Sequence, residues 1–147
     1  MKKLLYLFIL IPLFNMSQTK SQDAGHEITE KFLQAFADAF NEHDAGKIMS
    51  MMTADCVFQA SAGPDADGEK FVGTDRVRKA FEQVFTAYPD AQWRNAKHFI
   101  AGDRGFSEWV FSGTKSDGTR VEVTGCDLFT FRNGKIAVKN SYRKNRY

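Results

Sequence analysis

Three turn signals cut the second half of the chain into four segments and leave few folds open to it. Gly102-Asp103-Arg104-Gly105, Ser116-Asp117-Gly118 and Asn133-Gly134 separate residues 91–101, 106–115, 119–132 and 135–143. Asn-Gly is the pair favoured by a two-residue hairpin turn, because both positions need positive φ. The segments between are rich in β-branched and aromatic residues, so the spacing predicts an antiparallel meander.

The first half has a different period. Over 26–41 the apolar residues Ile28, Phe32, Phe36 and Phe40 recur at helical spacing, flanked by Leu33 and Ala39, which predicts an amphipathic helix. Asp44 suits the N-cap of a short second helix burying Ile48, Met49 and Met52. Residues 56–60 read as a strand, 61–68 as a loop and 70–72 as a short returning strand. A third helix over 74–88 sets Val77, Phe81, Val84 and Phe85 on one side and stops at Pro89, which cannot continue the hydrogen-bond ladder. Helices followed by a meander give an α+β domain with the helices on one face of the sheet. At 147 residues, with no repeat and no linker, the chain holds one domain.

The start reads as an export signal. Lys2 and Lys3 precede an apolar run from Leu4 to Phe14, shorter than the roughly 20 residues a membrane span needs. Cleavage suits Ser17 or, preferably, Ser21, giving a leader of 1–21, a domain of 22–147 and a periplasmic or secreted product with no stable membrane anchor. Loss of Lys2, Lys3 and Lys20 takes the net charge from +2 to −1. Lys139, Arg143, Lys144 and Arg146 crowd the C-terminus, and we read them as a solvated tail. Cys56 and Cys126 carry no motif and read as free thiols packed in strands.

Asp127 is the chemical oddity. On the segment 119–132 the odd positions Val121, Val123, Gly125, Asp127, Phe129 and Phe131 share a face, and that face turns toward the helices. A carboxylate there must be hydrogen-bonded, neutralised or exposed in a cavity. A functional acid and a rim aspartate satisfied by amides or water both fit the residues.

The segment TGCDLFTFRNGKIAVKNSYRK, preceded by SEWVFSGTKSDG, resembles the C-terminal hairpins of SnoaL-like proteins, and HDAGKIMSMMTADCVF and YPDAQW fit the same pattern. These proteins belong to the nuclear transport factor 2-like superfamily with polyketide cyclases and ketosteroid isomerases. The resemblance implies a cone: a curved, mainly antiparallel sheet wrapped around a long N-terminal helix, with two further helices and an enclosed pocket. It implies a small apolar ligand, commonly a homodimer, and proton-transfer chemistry without metal or other cofactor. Asp127 matches the acid/base of the cyclases. It also matches the protonated aspartate that donates to the oxyanion in the isomerases, a case described among general examples of tuned carboxyl groups.

The chain departs from both patterns. CVFQASA lacks the isomerase base, the first helix has Phe32 and Phe36 but no tyrosine, and Lys115 stands where cyclases tend to carry histidine. Trp93, Trp109 and Phe129 are expected to shape the pocket. His98 is a candidate acid/base by virtue of its ordinary titration range, and equally a hydrogen-bonded surface histidine. Glu108 is expected to be exposed or paired with a lysine, and His43 to be a loop residue. On 135–143, Asn140 and Tyr142 share parity with Ile136 and Val138 and are expected at the pocket mouth; a bulge would turn in Ser141 and Arg143 instead. Scattered histidines argue against zinc, and no nucleotide loop or nucleic-acid-binding pattern is present. An enzyme, a ligand-binding domain and a dimerisation module remain the three readings.

Overall fold

The computed structural model describes residues 27–145, so the expected export signal, His26 and Arg146 lie outside it. Three helices, α1 (Glu30–Asn41), α2 (Ala45–Ser50) and α3 (Thr74–Ala87), accompany six strands. These are β1 (Met52–Gln59), β2 (Lys70–Val72), β3 (Gln92–Ala101), β4 (Arg104–Thr114), β5 (Arg120–Arg132) and β6 (Lys135–Arg143). The curved sheet runs β2-β1-β6-β5-β4-β3, antiparallel except where β1 meets β6. The α+β architecture and all three turns follow the sequence reading. Asn133 and Gly134 both have positive φ (53° and 70°), as a tight hairpin requires.

Helix α1 begins one step after Thr29, whose hydroxyl accepts from the Phe32 amide, a side-chain N-cap. Its apolar stripe buries Leu33, Phe36, Ala39 and Phe40. Asp44 caps α2 through the Lys47 amide, and Ile48 and Met49 are buried. The Asn41 side chain bonds both the amide and the carbonyl of Trp93, which docks the end of α1 on the start of β3. His43 is more than a loop residue: its ring stacks on Phe85 and bonds the Ala91 carbonyl.

The bottom of the cone is solid. Phe129 packs edge-on against Phe36 at 5.9 Å and stacks with Phe131 at 6.1 Å. The upper part, between α3, β1 and the far ends of β4 to β6, is not filled. Cys56 lies in the core and Cys126 on the outer sheet face, and both are free thiols. Burial pushes both thiols above their ordinary range.

Candidate functional site

Strand β5 keeps its alternation without interruption, and Asp127 points inward, buried. Register carries a polar row across four strands: His98 on β3 opposes Ser107 on β4, Ser107 opposes Asp127, and Asp127 opposes Ser141 on β6. Directly opposed residues share a face, so the row crosses the inside of the cone between the aromatic floor and the open upper part.

Two bulges make this row. In β3 the register slips between Arg94 and Lys97, with Asn95 at φ 55°. Trp93 and His98, five residues apart, therefore both face inward. In β6, Thr130 pairs Val138 but Phe131 pairs Ile136, so Ala137 is the extra residue. A bulge reverses parity beyond itself.

The expectation for Asn140 and Tyr142 is thus corrected. Tyr142 is exposed on the outer face, Asn140 donates to its hydroxyl, and neither lines a cavity on the inner side. Lys139 and Ser141 turn inward instead, and Arg143 follows them at the mouth. Lys139, read from sequence as part of a solvated tail, is buried.

Lys139 is the partner that the sequence left unidentified. Its Nζ lies 2.6 Å from Asp127 Oδ1 and donates to Ser141 Oγ at 2.6 Å; Ser141 in turn donates to the same Oδ1 at 2.6 Å. Trp109 Nε1 donates to Oδ2 at 2.9 Å. Asp127 thus accepts three hydrogen bonds, the arrangement of a carboxylate. A protonated Asp127 donating to an oxyanion would have to break this set.

Gly125 makes the tryptophan contact possible. It opposes Trp109 across the ladder, and a Cβ there would meet the indole at 2.3 Å. Without a side chain the ring lies flat over β5 and reaches Asp127. On its other side Lys139 sits over the rings of Phe58 and Phe40, at 5.1 and 5.5 Å from their centroids, a favourable place for a cation.

Lys139, Ser141 and Trp109 line the main cavity, of about 340 Å³, whose walls are Phe58, Phe71, Phe81, Val84, Tyr88, Trp93, Phe111 and Val123. Asp127 does not reach it. It lines a second, small cavity of about 30 Å³ with His98, Ser107, Trp109, Phe129 and Lys139, a space of one water's size with polar partners for it. Trp93 and Trp109 thus line the main cavity, while Phe129, on the floor, and His98 line the small one. His98 Nδ1 is 2.7 Å from Ser107 Oγ and Nε2 is 3.2 Å from Gln34 Oε1. Burial pushes its imidazole below the usual range, against a smaller upward pull from Glu30 and Asp38.

An ammonium carries three N–H donors. Two of those on Lys139 go to Asp127 and Ser141; the third has no acceptor among the described residues, and Lys139 lines both the main and the small cavity. Among the described residues no group of three or more His, Cys, Asp or Glu side chains could hold a metal ion. Glu108 pairs with Lys97 at 3.1 Å on the outer face, as expected.

A family model for the SnoaL-like domain matches residues 33–139. No curated protein matches the chain in sequence. Among solved structures the fold resembles a polyketide cyclase candidate from Xanthomonas campestris pv. campestris, 21% identical over 78% of this chain and 88% of that one, at a TM-score of 0.69. A second polyketide cyclase candidate, from Pseudomonas putida, is 19% identical over 81% and 93%, at 0.71. TerC, co-crystallised with polyporic acid, is 19% identical over 78% and 89%, at 0.67. Likeness at these identities concerns the fold alone.

Proposed function

The chain belongs to the SnoaL-like family, and on that premise we propose that its cavity takes a flat apolar molecule and sets a carbonyl or enol oxygen against Lys139. The observation that carries this is that Lys139 lines the apolar cavity and keeps one N–H without a protein acceptor among the described residues. A preorganised cation in a water-poor site stabilises an oxyanion as it forms. That suits isomerase or cyclase chemistry by proton transfer beside a carbonyl. Asp127 acts here through Lys139, as the group that holds it. That TerC is co-crystallised with polyporic acid supports a small-molecule ligand for this fold.

Binding without turnover is the second reading. Its support is that among the described residues no carboxylate or histidine lines the main cavity, so a base must come from behind Lys139 or from water. Two expectations join the proposal unchanged: export, resting on the N-terminal sequence, and a homodimer, for which the exposed Phe99 and Tyr142 on the outer sheet face offer apolar surface.

The test compares coumarin, a flat two-ring lactone, with naphthalene, which lacks the oxygen. Coumarin should bind about tenfold more tightly, the worth of one charge-assisted hydrogen bond. In Lys139→Met/Asp127→Asn, which removes both charges and leaves Trp109 an acceptor, the preference should vanish. Equal binding of the two probes to the natural protein would discard the reading.

A further inference from the structure

We propose that Lys139 is an amine nucleophile that forms an imine with an aldehyde or ketone in the main cavity, with Asp127 carrying its proton. This rests on the reading that the cavity takes an apolar carbonyl compound, and it extends that reading to the carbonyl carbon.

The Lys139 and Asp127 side chains are each 7% exposed. Ser141 and Trp109 bond the pair, Ser107 and His98 line the small cavity beside it, and the walls of the main cavity are mostly aromatic and aliphatic. Keeping two charges in such a place carries a desolvation penalty for each ion. A ligand that expels the remaining water raises that penalty. The uncharged pair, amine and carboxylic acid across the same 2.6 Å hydrogen bond, then competes with the ion pair. Passing the proton from Nζ to Oδ1 frees the nitrogen lone pair beside the ligand. Exposed lysines such as Lys97 and Lys70 also have acidic partners, but those pairs lie in water and are screened.

The step balances. The neutral amine adds to the carbonyl carbon, and a proton passes from nitrogen to oxygen to give a carbinolamine. Asp127 returns its proton to the hydroxyl, which leaves as water. A cationic iminium remains opposite the Asp127 carboxylate and over the Phe40 and Phe58 rings that now face the ammonium. One ammonium and one carbonyl become one iminium and one water, with Asp127 a carboxylate before and after and no change of oxidation state. An iminium draws electrons from the neighbouring carbon as an oxyanion site does. It therefore supplies activation that the apolar walls of the cavity cannot.

The protein is incubated with 2-naphthaldehyde and sodium cyanoborohydride at neutral pH, and labelled lysines are mapped by peptide mass spectrometry over time. Lys139 should be labelled about tenfold or more faster than Lys97 and Lys70, through its proximity to bound aldehyde. Prior saturation with naphthalene should suppress labelling at Lys139 and spare the exposed lysines. Labelling of Lys139 no faster than theirs, with coumarin still bound in preference to naphthalene, would overturn the imine and leave the binding reading intact. Loss of that preference as well would overturn both.

Discussion

Strands β3 to β6 carry ion pairs on both faces, and the two faces use the same chemistry to different ends. On the outer face Arg94 meets Glu122 at 2.8 Å with both side chains 49% exposed, and Lys97 meets Glu108 at 3.1 Å. On the inner face Lys139 meets Asp127 at 2.6 Å with both 7% exposed. Exposed pairs are screened and contribute little. A buried pair offsets its own desolvation only when geometry and supporting hydrogen bonds are good. Ser141 and Trp109 provide that support for Asp127. A well-packed apolar pair would hold the cone together as well, so the inner pair is best understood by what it presents to the cavity.

Breaking the inner pair from one side should have the largest effect. Lys139→Met leaves Asp127 charged and buried, and should cost about 3–5 kcal/mol in urea unfolding. Adding Asp127→Asn should recover most of that loss, since removing both partners spares the orphan charge. A double variant as unstable as the single would show that packing, not charge, dominates here.

Trp109→Phe keeps the ring over Gly125 but removes the donor to Asp127. Leaving Oδ2 unsatisfied should cost about 1–3 kcal/mol. It should also weaken coumarin binding, because the carboxylate that positions Lys139 loses one of its three donors.

The His98 end of the polar row should appear in the pH dependence of stability. Burial holds its folded-state value below the ordinary 6.5, so the unfolded chain binds the proton more readily. The contribution is whole above pH 6.5 and is lost as pH falls through the lowered value. In His98→Gln, the decline in stability below pH 6.5 and above the carboxylate range near about 4 should flatten. An unchanged profile would detach His98 from the row.

The outer face should respond least. Glu108→Gln should change stability by no more than about 0.5 kcal/mol. A larger loss would erase the contrast between the faces.

The fold was open to a sequence reading because turn chemistry is local. Asn133-Gly134 and the helical stripe of α1 say what they become without reference to anything distant. Asp127 was open too, since β5 alternates cleanly and its phenylalanines mark the inner face. Lys139 was not, because its direction depends on one extra residue. The apolar run Ile136-Ala137-Val138 was the available signal: strict alternation cannot bury neighbours, and Ile136 and Ala137 are both buried. A bulge at Ala137 follows from that run, and it exchanges Asn140 and Tyr142 for Lys139 and Ser141. The bond from Trp109 to Asp127 had no such signal. It depends on an indole lying across Gly125, which strand parity does not describe.

The central claim is that Lys139, held by Asp127, is the group that meets the ligand's oxygen. Difference infrared spectroscopy of coumarin labelled with ¹³C at its carbonyl tests this directly, because the stretch falls in frequency when the oxygen accepts a strong hydrogen bond. The bound band should lie below its position in an apolar solvent and return to that position in Lys139→Met/Asp127→Asn. A bound carbonyl that absorbs at the same frequency in both proteins would contradict the claim.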